Sequence, residues 1–322
     1  MPYWDIVTRS FAIAWRHKYL WLLAVFAGES GGVSFNYSSP IQPGGKPGST
    51  PDFTNIPQQA AIWLSQNAGL VAVISALFLL LVIGFFILAA VCEGALVRAS
   101  AEHDAQRPFG LRWAWRNGVA TTATIIRFRL ILIALGLPVF IVVVALVAVF
   151  IVALVSHNTG LAVGIGLLGF LIFLAAVVYA IYLAFLDRLG TRAAVLEQIG
   201  ARAAVVRGHR LLRKRLGRVL LAWLISIATT IVVGLCAAIV LAIVALPTLF
   251  IGIAGYTTGS PLFWIALVVA AVILVPIVLV VDGFVIAQSS TYWTLAFRRL
   301  EIDEAPAYRY VPATPPVMPS SS

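Results

Sequence analysis

The sequence predicts an all-α fold: a polytopic integral membrane helical bundle with six spans, arranged as a pseudo-threefold repeat of helical hairpins with interfacial amphipathic helices. Of its 322 residues, 61% are hydrophobic and 11% are charged, whereas about a quarter of a soluble domain is charged. Mean hydropathy is +1.02, so a bilayer is the natural solvent. Acids also recur at one period. Glu93 lies 94 residues before Asp187 and Asp282 lies 95 residues after it, and each acid ends an apolar run.

The first repeat unit, residues 3–93, begins with a predicted interfacial helix over residues 3–18. Its large apolar side chains recur at helical spacing on one side: Trp4, Val7, Phe11 and Trp15. The apolar run at residues 19–28 is too short to cross about 30 Å of hydrocarbon. Either this helix continues toward Phe35, or it is a partly inserted element packed in the bundle, or it belongs to a signal peptide cleaved at Ala27.

The rest of the chain repeats one plan. Residues 29–58 are rich in Gly and Pro and predict an extracytoplasmic loop. The second unit, about 109–187, and the third, about 201–282, each have a basic amphipathic segment, an outgoing span and a returning span. Residues 1–304 therefore form a single transmembrane domain, and residues 305–322 predict a disordered cytoplasmic tail.

The positions of the basic residues favour a membrane protein with both termini in the cytoplasm. With six spans and the N-terminus inside, Lys46 is the only one of 22 lysines and arginines on the outer side. The positive-inside rule predicts this bias for a multi-pass protein of the cell membrane. The inner cations would attract anionic membrane lipids. Nucleic acid is not expected as a partner, because no base-stacking or groove-reading module is visible.

The three acids Glu93, Asp187 and Asp282 are the candidate functional residues. They either cap the inner ends of helices and pair with arginines, or converge on one site for a cation, a proton or a basic substrate group. Arg98 and Arg192 lie five positions after two of the acids, about 140° round the helix, so partners from other segments fit better. The candidate partners or lipid-headgroup contacts are Lys18, Arg129, Arg218, Arg213, Lys214 and Arg215.

Motifs for catalysis or metal binding are missing from the sequence. It contains no nucleophile–base arrangement, phosphate-binding loop or HExxH motif, and its four histidines have no metal-ligand spacing. Cys92 and Cys236 lie in apolar runs without a CxxC spacing. We therefore expect no enzymatic activity, no cofactor and no bound metal.

Two segments carry a resemblance to a known family: residues 15–23, Trp-Arg-His-Lys-Tyr-Leu-Trp-Leu-Leu, and residues 292–300, Tyr-Trp-Thr-Leu-Ala-Phe-Arg-Arg-Leu. With the repeated plan, they resemble bacterial six-span proteins that include the membrane domain of some glycerophosphodiester phosphodiesterases. No soluble stretch here is long enough for the catalytic barrel of that family. The resemblance implies a membrane module without hydrolase activity.

Two functions are compatible with these features. The first is a non-enzymatic scaffold, assembly or anchoring module at the inner leaflet, with a protein partner or as a homo-oligomer. The second is a transporter of a lipid-like or amphiphilic solute that uses Glu93, Asp187 and Asp282. The transporter requires a polar cavity that reaches the middle of the membrane.

Overall fold

The computed structural model describes residues 4–27, 63–107, 109–156, 159–258 and 262–302. These residues are helical and include no strand. The helices are α1 Trp4–Arg16, α2 Tyr19–Phe26, α3 Ala68–Asp104, α4 Leu111–Val155, α5 Thr159–Leu196, α6 Ala201–Lys214, α7 Leu216–Thr257 and α8 Leu262–Ile302. The predicted loop at residues 29–58 and the predicted tail at residues 305–322 lie outside the described residues, as does Lys46. The fold is a helical membrane bundle.

Five of these helices, α3, α4, α5, α7 and α8, are long and apolar enough to cross a membrane. The expected sixth span is not confirmed, because α2 has only eight residues and measures about 12 Å along its axis. Three of its side chains, Leu20, Leu23 and Ala24, are buried. The described part of α2 fits the alternative of an element packed within the bundle, and the alternative continuation toward Phe35 lies outside the described residues.

The membrane halves of the long helices are open to their surroundings. At most 6% of the residues in the most apolar stretch of each helix are buried. Neighbouring helices still pair as hairpins: the Tyr179 hydroxyl of α5 donates to the Leu135 carbonyl of α4 at 3.1 Å. In the hairpin of α7 and α8, Gly252 lies against Ala266. Such exposed apolar faces are expected of helices that lipid surrounds.

The core lies at one end of the bundle, which we call the basic end. It consists of α1, α2, α6, the first five turns of α4, the first turns of α7, and the C-terminal parts of α3, α5 and α8. Nearly every residue from Ala90 to Glu102 of α3 is buried there, as are most from Ile286 to Leu300 of α8. The parallel helices α3, α5 and α8 contact one another in pairs. The fold is therefore held together where its returning helices meet.

A polar and aromatic stretch of α8, Gln288–Thr294, lies at the centre of the basic end. Gln288 donates to the Ser10 hydroxyl of α1 at 3.1 Å, and the Thr291 hydroxyl is 3.0 Å from that of Ser100 on α3. Tyr292 donates to the Ala222 carbonyl of α7 at 2.9 Å, and Trp293 donates to the Ser226 hydroxyl of α7 at 3.2 Å. Arg192 of α5 donates to the Ser290 carbonyl of this stretch at 3.4 Å. The stretch thus joins α8 to four other helices.

The first turns of α4 pack against the C-terminal part of α3. Gly118 of α4 lies against Val91 and Ala95, and Gly94 of α3 lies against Thr121 and Ile125. Arg129 also bonds to Glu93. The two helices therefore approach closely at the basic end.

The close contact between α3 and α4 depends on a glycine. A methyl group on Gly118 would collide with the Val91 carbonyl oxygen, a backbone atom that no side-chain rotation can move away. We predict that Gly118→Ala lowers the free energy of unfolding by about 1–3 kcal/mol, the usual effect of overpacking. The measurement is thermal or SDS unfolding of the detergent-solubilised protein. Gly84→Ala on the lipid-facing part of α3, where nothing lies within 4 Å, is the matched control and should be neutral. Equal stability of the two variants would contradict the packing.

Candidate functional site

Glu93 is buried at the junction of α3 and α4. Its side chain is 1% exposed and forms an ion pair with Arg129, whose side chain is 18% exposed. Glycine neighbours allow the close approach, because Gly94 packs against Thr121 and Ile125 of α4. A buried carboxylate requires such a partner, since desolvation of an isolated charge is costly. The pair holds the end of the first returning span against the start of the next outgoing span.

Asp187 and Asp282 have different surroundings from Glu93. Both are half-buried. Asp187 lies on α5 beside Arg188, whose guanidinium stands 4.9 Å above the centre of the Trp293 ring. Asp282 lies in α8 next to Gly283, whose missing side chain makes room for the backbone of Trp21. Among the described residues, no hydrogen bond or ion pair reaches Asp282.

Different helices lie near the three acids. Glu93 faces Arg129 of α4. Asp187 lies three residues before Gly190, which packs against Phe128 of α4 and lies near Gly208 of α6. Asp282 precedes Gly283, which packs against α2. In the part of the chain that is described, no group of three or more His, Cys, Asp or Glu side chains could hold a metal ion. The three carboxylates therefore do not form a shared metal-binding group.

The predicted cations lie at the basic end with different exposures. Arg129 is partly buried in its ion pair, and Arg215 is half-buried at the junction of α6 and α7. The exposed members of the set are Lys18, Arg213, Lys214 and Arg218. Four of the six are therefore positioned where they can reach lipid headgroups or a partner.

Two arginines that were not selected from the sequence are among the largest fully buried side chains, Arg98 and Arg192. Arg98 is 3.4 Å from Glu102, one turn along α3 and equally buried. Arg192 donates to the Arg188 carbonyl at 2.7 Å and reaches α8. Arg98 and Arg192 are 94 residues apart, the same separation as Glu93 and Asp187. This shared spacing is the signal in the sequence that could have identified the two arginines. Both arginines act in the core rather than at the surface.

Ion pairs join the two ends of the described chain. Arg299 of α8 donates to Asp5 of α1 at 3.0 Å. Arg298 donates to Asp104, the last residue of α3, at 2.6 Å. Arg9 also stands 3.9 Å from Asp104. Because all five groups are partly exposed, each pair contributes little alone, but together they hold α1, α3 and α8 in one arrangement.

A histidine pair lies where α1 ends and α3 ends. The rings of His17 and His103 are stacked 3.5 Å apart with an angle of 9° between their planes, and the Tyr19 hydroxyl bonds to His103. Burial, with a smaller effect of the neighbouring Arg16, lowers the pKa of His17 below its ordinary value. Burial therefore favours an uncharged His17.

Long apolar helices with open membrane faces, packed through a basic end, define a multi-pass membrane protein. The chain belongs to a family of unknown function, DUF7544, whose model matches residues 7–296. No curated protein and no solved structure matches it. These comparisons add no support to a relation with glycerophosphodiester phosphodiesterases, which stays a prediction.

Removal of Arg129 tests the buried ion pair. Arg129→Gln leaves the Glu93 carboxylate buried beside a neutral side chain, so we expect a loss of roughly 3 kcal/mol in the free energy of unfolding. The matched control is Arg127→Gln, an exposed arginine two residues earlier, which should change stability by less than about 0.5 kcal/mol. SDS titration of the solubilised protein measures both. Recovery of stability in the Glu93→Gln, Arg129→Gln double variant would confirm that the two side chains are coupled. If Arg129→Gln lowered stability no more than Arg127→Gln does, the buried ion pair would be refuted.

Acidification tests the histidine pair. The folded-state pKa of His17 is lowered, so its contribution to stability is complete above its unfolded pKa of about 6.5 and is lost as pH falls through the folded pKa. We expect the melting temperature to drop between pH 7 and pH 5. His17→Phe keeps an aromatic ring against His103 and should show a smaller drop. An identical pH profile for the two proteins would contradict this assignment.

Proposed function

We propose that this protein is a non-enzymatic scaffold that anchors a protein partner, or further copies of itself, at the inner leaflet of the cell membrane. In this proposal the basic end faces the cytoplasm, with both termini, and carries the partner-binding surface. The observation that carries the proposal is the concentration of packing, ion pairs and exposed cations at that one end.

The surface of the basic end supports the proposal. Helix α6 buries Ala204, Gly208 and Leu211 against the bundle and leaves Arg210 and Arg213 exposed. Three tryptophans are exposed at the same end: Trp4 (68%), Trp15 (64%) and Trp115 (44%). Exposed cations and tryptophans are typical of surfaces that meet lipid headgroups. We propose that Lys18, Arg213, Lys214, Arg215 and Arg218 contact anionic lipid or the partner.

The interior of the basic end also favours a scaffold. The Glu93 carboxylate is neutralised by Arg129, and the polar groups of the α8 stretch bond to neighbouring helices. Rigid, well-packed elements are suited to holding a partner in a fixed position.

The threefold repeat is part of the proposal and has support in the contacts. Each returning helix carries an acid followed closely by a glycine that packs on another helix: Gly94 on α4, Gly190 on both α4 and α6, and Gly283 on α2. In this proposal the contact of Gly283 returns to the first unit and closes the three units into a ring. The direct contacts among α3, α5 and α8 support a position of these helices round its centre.

Site-specific photocrosslinking in native membranes tests the scaffold. A photoreactive amino acid at position 213, exposed on α6, should give a discrete protein adduct. The matched control at position 240, exposed on the apolar part of α7, should give lipid adducts alone. Charge reversal with Lys214→Glu should reduce the adduct at position 213 several-fold. Absence of a protein adduct from position 213 and from other exposed positions of the basic end would refute the proposal.

The transporter remains a second candidate because of Asp282. This acid is half-buried within the helix between Pro276 and the α2 contact, and no hydrogen bond or ion pair from the described residues reaches it. Flux of fluorescent lipid across vesicles that contain the reconstituted protein measures this activity. We expect none above empty vesicles. Flux that Asp282→Asn abolishes, while the exposed control Arg127→Gln does not, would establish transport instead.

A further inference from the structure

We infer that the groove between α2, α3 and the first turns of α4 binds one acyl chain of an anionic phospholipid, with its phosphate held at Arg112. The inference rests on the proposed placement of the basic end at the inner leaflet and names a lipid site within it. Its evidence is the shape, lining and charge of the groove.

The groove has the size and lining of a lipid site. Its volume is about 450 Å³, and it is lined by Leu22 and Phe26 of α2, Leu88 and Cys92 of α3, and Leu111, Arg112 and Trp115 of α4. Ligand sites commonly measure about 300–1,000 Å³ and are mostly apolar with a few polar groups. Arg112 is the one charged residue among those that line the groove, and the lining surface itself is almost wholly apolar.

The proposed placement of the basic end puts the groove at the level where a phospholipid changes from acyl chain to headgroup. Cys92 is the last apolar residue of α3 before Glu93. Leu88 lies one turn earlier, toward the apolar part of α3. The walls open outward, because Leu22 is 59% exposed and Trp115 is 44% exposed. An acyl chain could therefore enter from the bilayer while its phosphate remained beside α4, and no opening to water is required.

The charges around the groove favour an anionic headgroup. Arg112 and Arg116 lie one turn apart on α4, both are exposed, and no acid among the described residues pairs with either. The first turn of α4 contains no acid, and its N-cap residue, Gly110, has no side chain that could cap the turn. A cation in the first turn opposes the helix dipole. A bound phosphate would neutralise the arginines and accept hydrogen bonds from the open turn.

A protein segment is a poorer occupant of this groove. A peptide that entered it would bury backbone N–H and C=O groups against an apolar lining that offers them few partners, at a cost of a few kcal/mol each. An acyl chain has no such groups. The phosphate is the part of a lipid that Arg112 can bond, and a bidentate arginine contact is the usual way in which proteins bind phosphate.

Photocrosslinking with two lipid probes tests the site. The full-length protein is placed in phosphatidylcholine nanodiscs with a trace of phosphatidylglycerol or phosphatidylcholine, each carrying the same diazirine acyl chain. Mass spectrometry then locates the adducts. We expect the glycerol probe to label peptides that contain Leu22, Phe26 and Leu88 several-fold more than the choline probe does. Arg112→Gln should reduce labelling by the glycerol probe roughly fivefold, the effect of losing one cation near the membrane surface.

Two further variants make the result specific. Arg127→Gln, on the exposed face of the same helix away from the groove, should leave labelling unchanged. Leu22→Trp, at an exposed position of the lining, should reduce labelling by both probes without disturbing the fold. Equal labelling by the two probes, labelling that Arg112→Gln does not reduce, or no adduct in the groove would each overturn the site. These outcomes are independent of the partner crosslinks at position 213, so the lipid site can fail while the scaffold stands.

Discussion

The buried polar stretch Gln288–Thr294 of α8 is the constraint on which the rest of the fold depends. A polar group that loses water without gaining a partner costs a few kcal/mol. Here the bonds of Gln288, Tyr292 and Trp293 reach α1 and α7, and that of Thr291 reaches α3. Any displacement of α8 would break several of them together. One stretch of one helix therefore fixes the relative positions of its neighbours.

This arrangement explains why the bundle is tight at one end and open along its membrane halves. Lipid is as apolar as leucine, so burial of apolar side chains does not drive helices together within a bilayer. It does drive them together where water is the solvent. The C-terminal parts of α3, α5 and α8 carry the buried core, and their membrane halves remain free to contact lipid. The single-ended core is therefore the expected result for long helices that extend beyond the hydrocarbon.

Hydropathy alone predicted the helical bundle and the apolar runs of all five long helices, because a span of about twenty apolar residues has few other stable structures. It could not predict the role of Gln288–Thr294, since polar residues after an apolar run look like an ordinary solvent-exposed stem. The buried Arg98 and Arg192 were missed for the same reason. Burial of a charge depends on which helices surround it, and one sequence contains no record of those neighbours. The span count also exceeded what periodicity can determine, because α2 packs against α3 and α8, and a single sequence does not show whether a short apolar run packs in the bundle or crosses the bilayer.

Charge distinguishes the groove at the basic end from two other apolar grooves of the bundle. The hairpins α4–α5 and α7–α8 each carry a groove whose lining contains no charged residue. The lining of the groove between α2, α3 and α4 includes Arg112. An acyl chain could lie in any of the three, because all are apolar. Of the three, the groove at the basic end is the one that can bind an anionic headgroup together with the chain, since a phosphate needs a cationic partner.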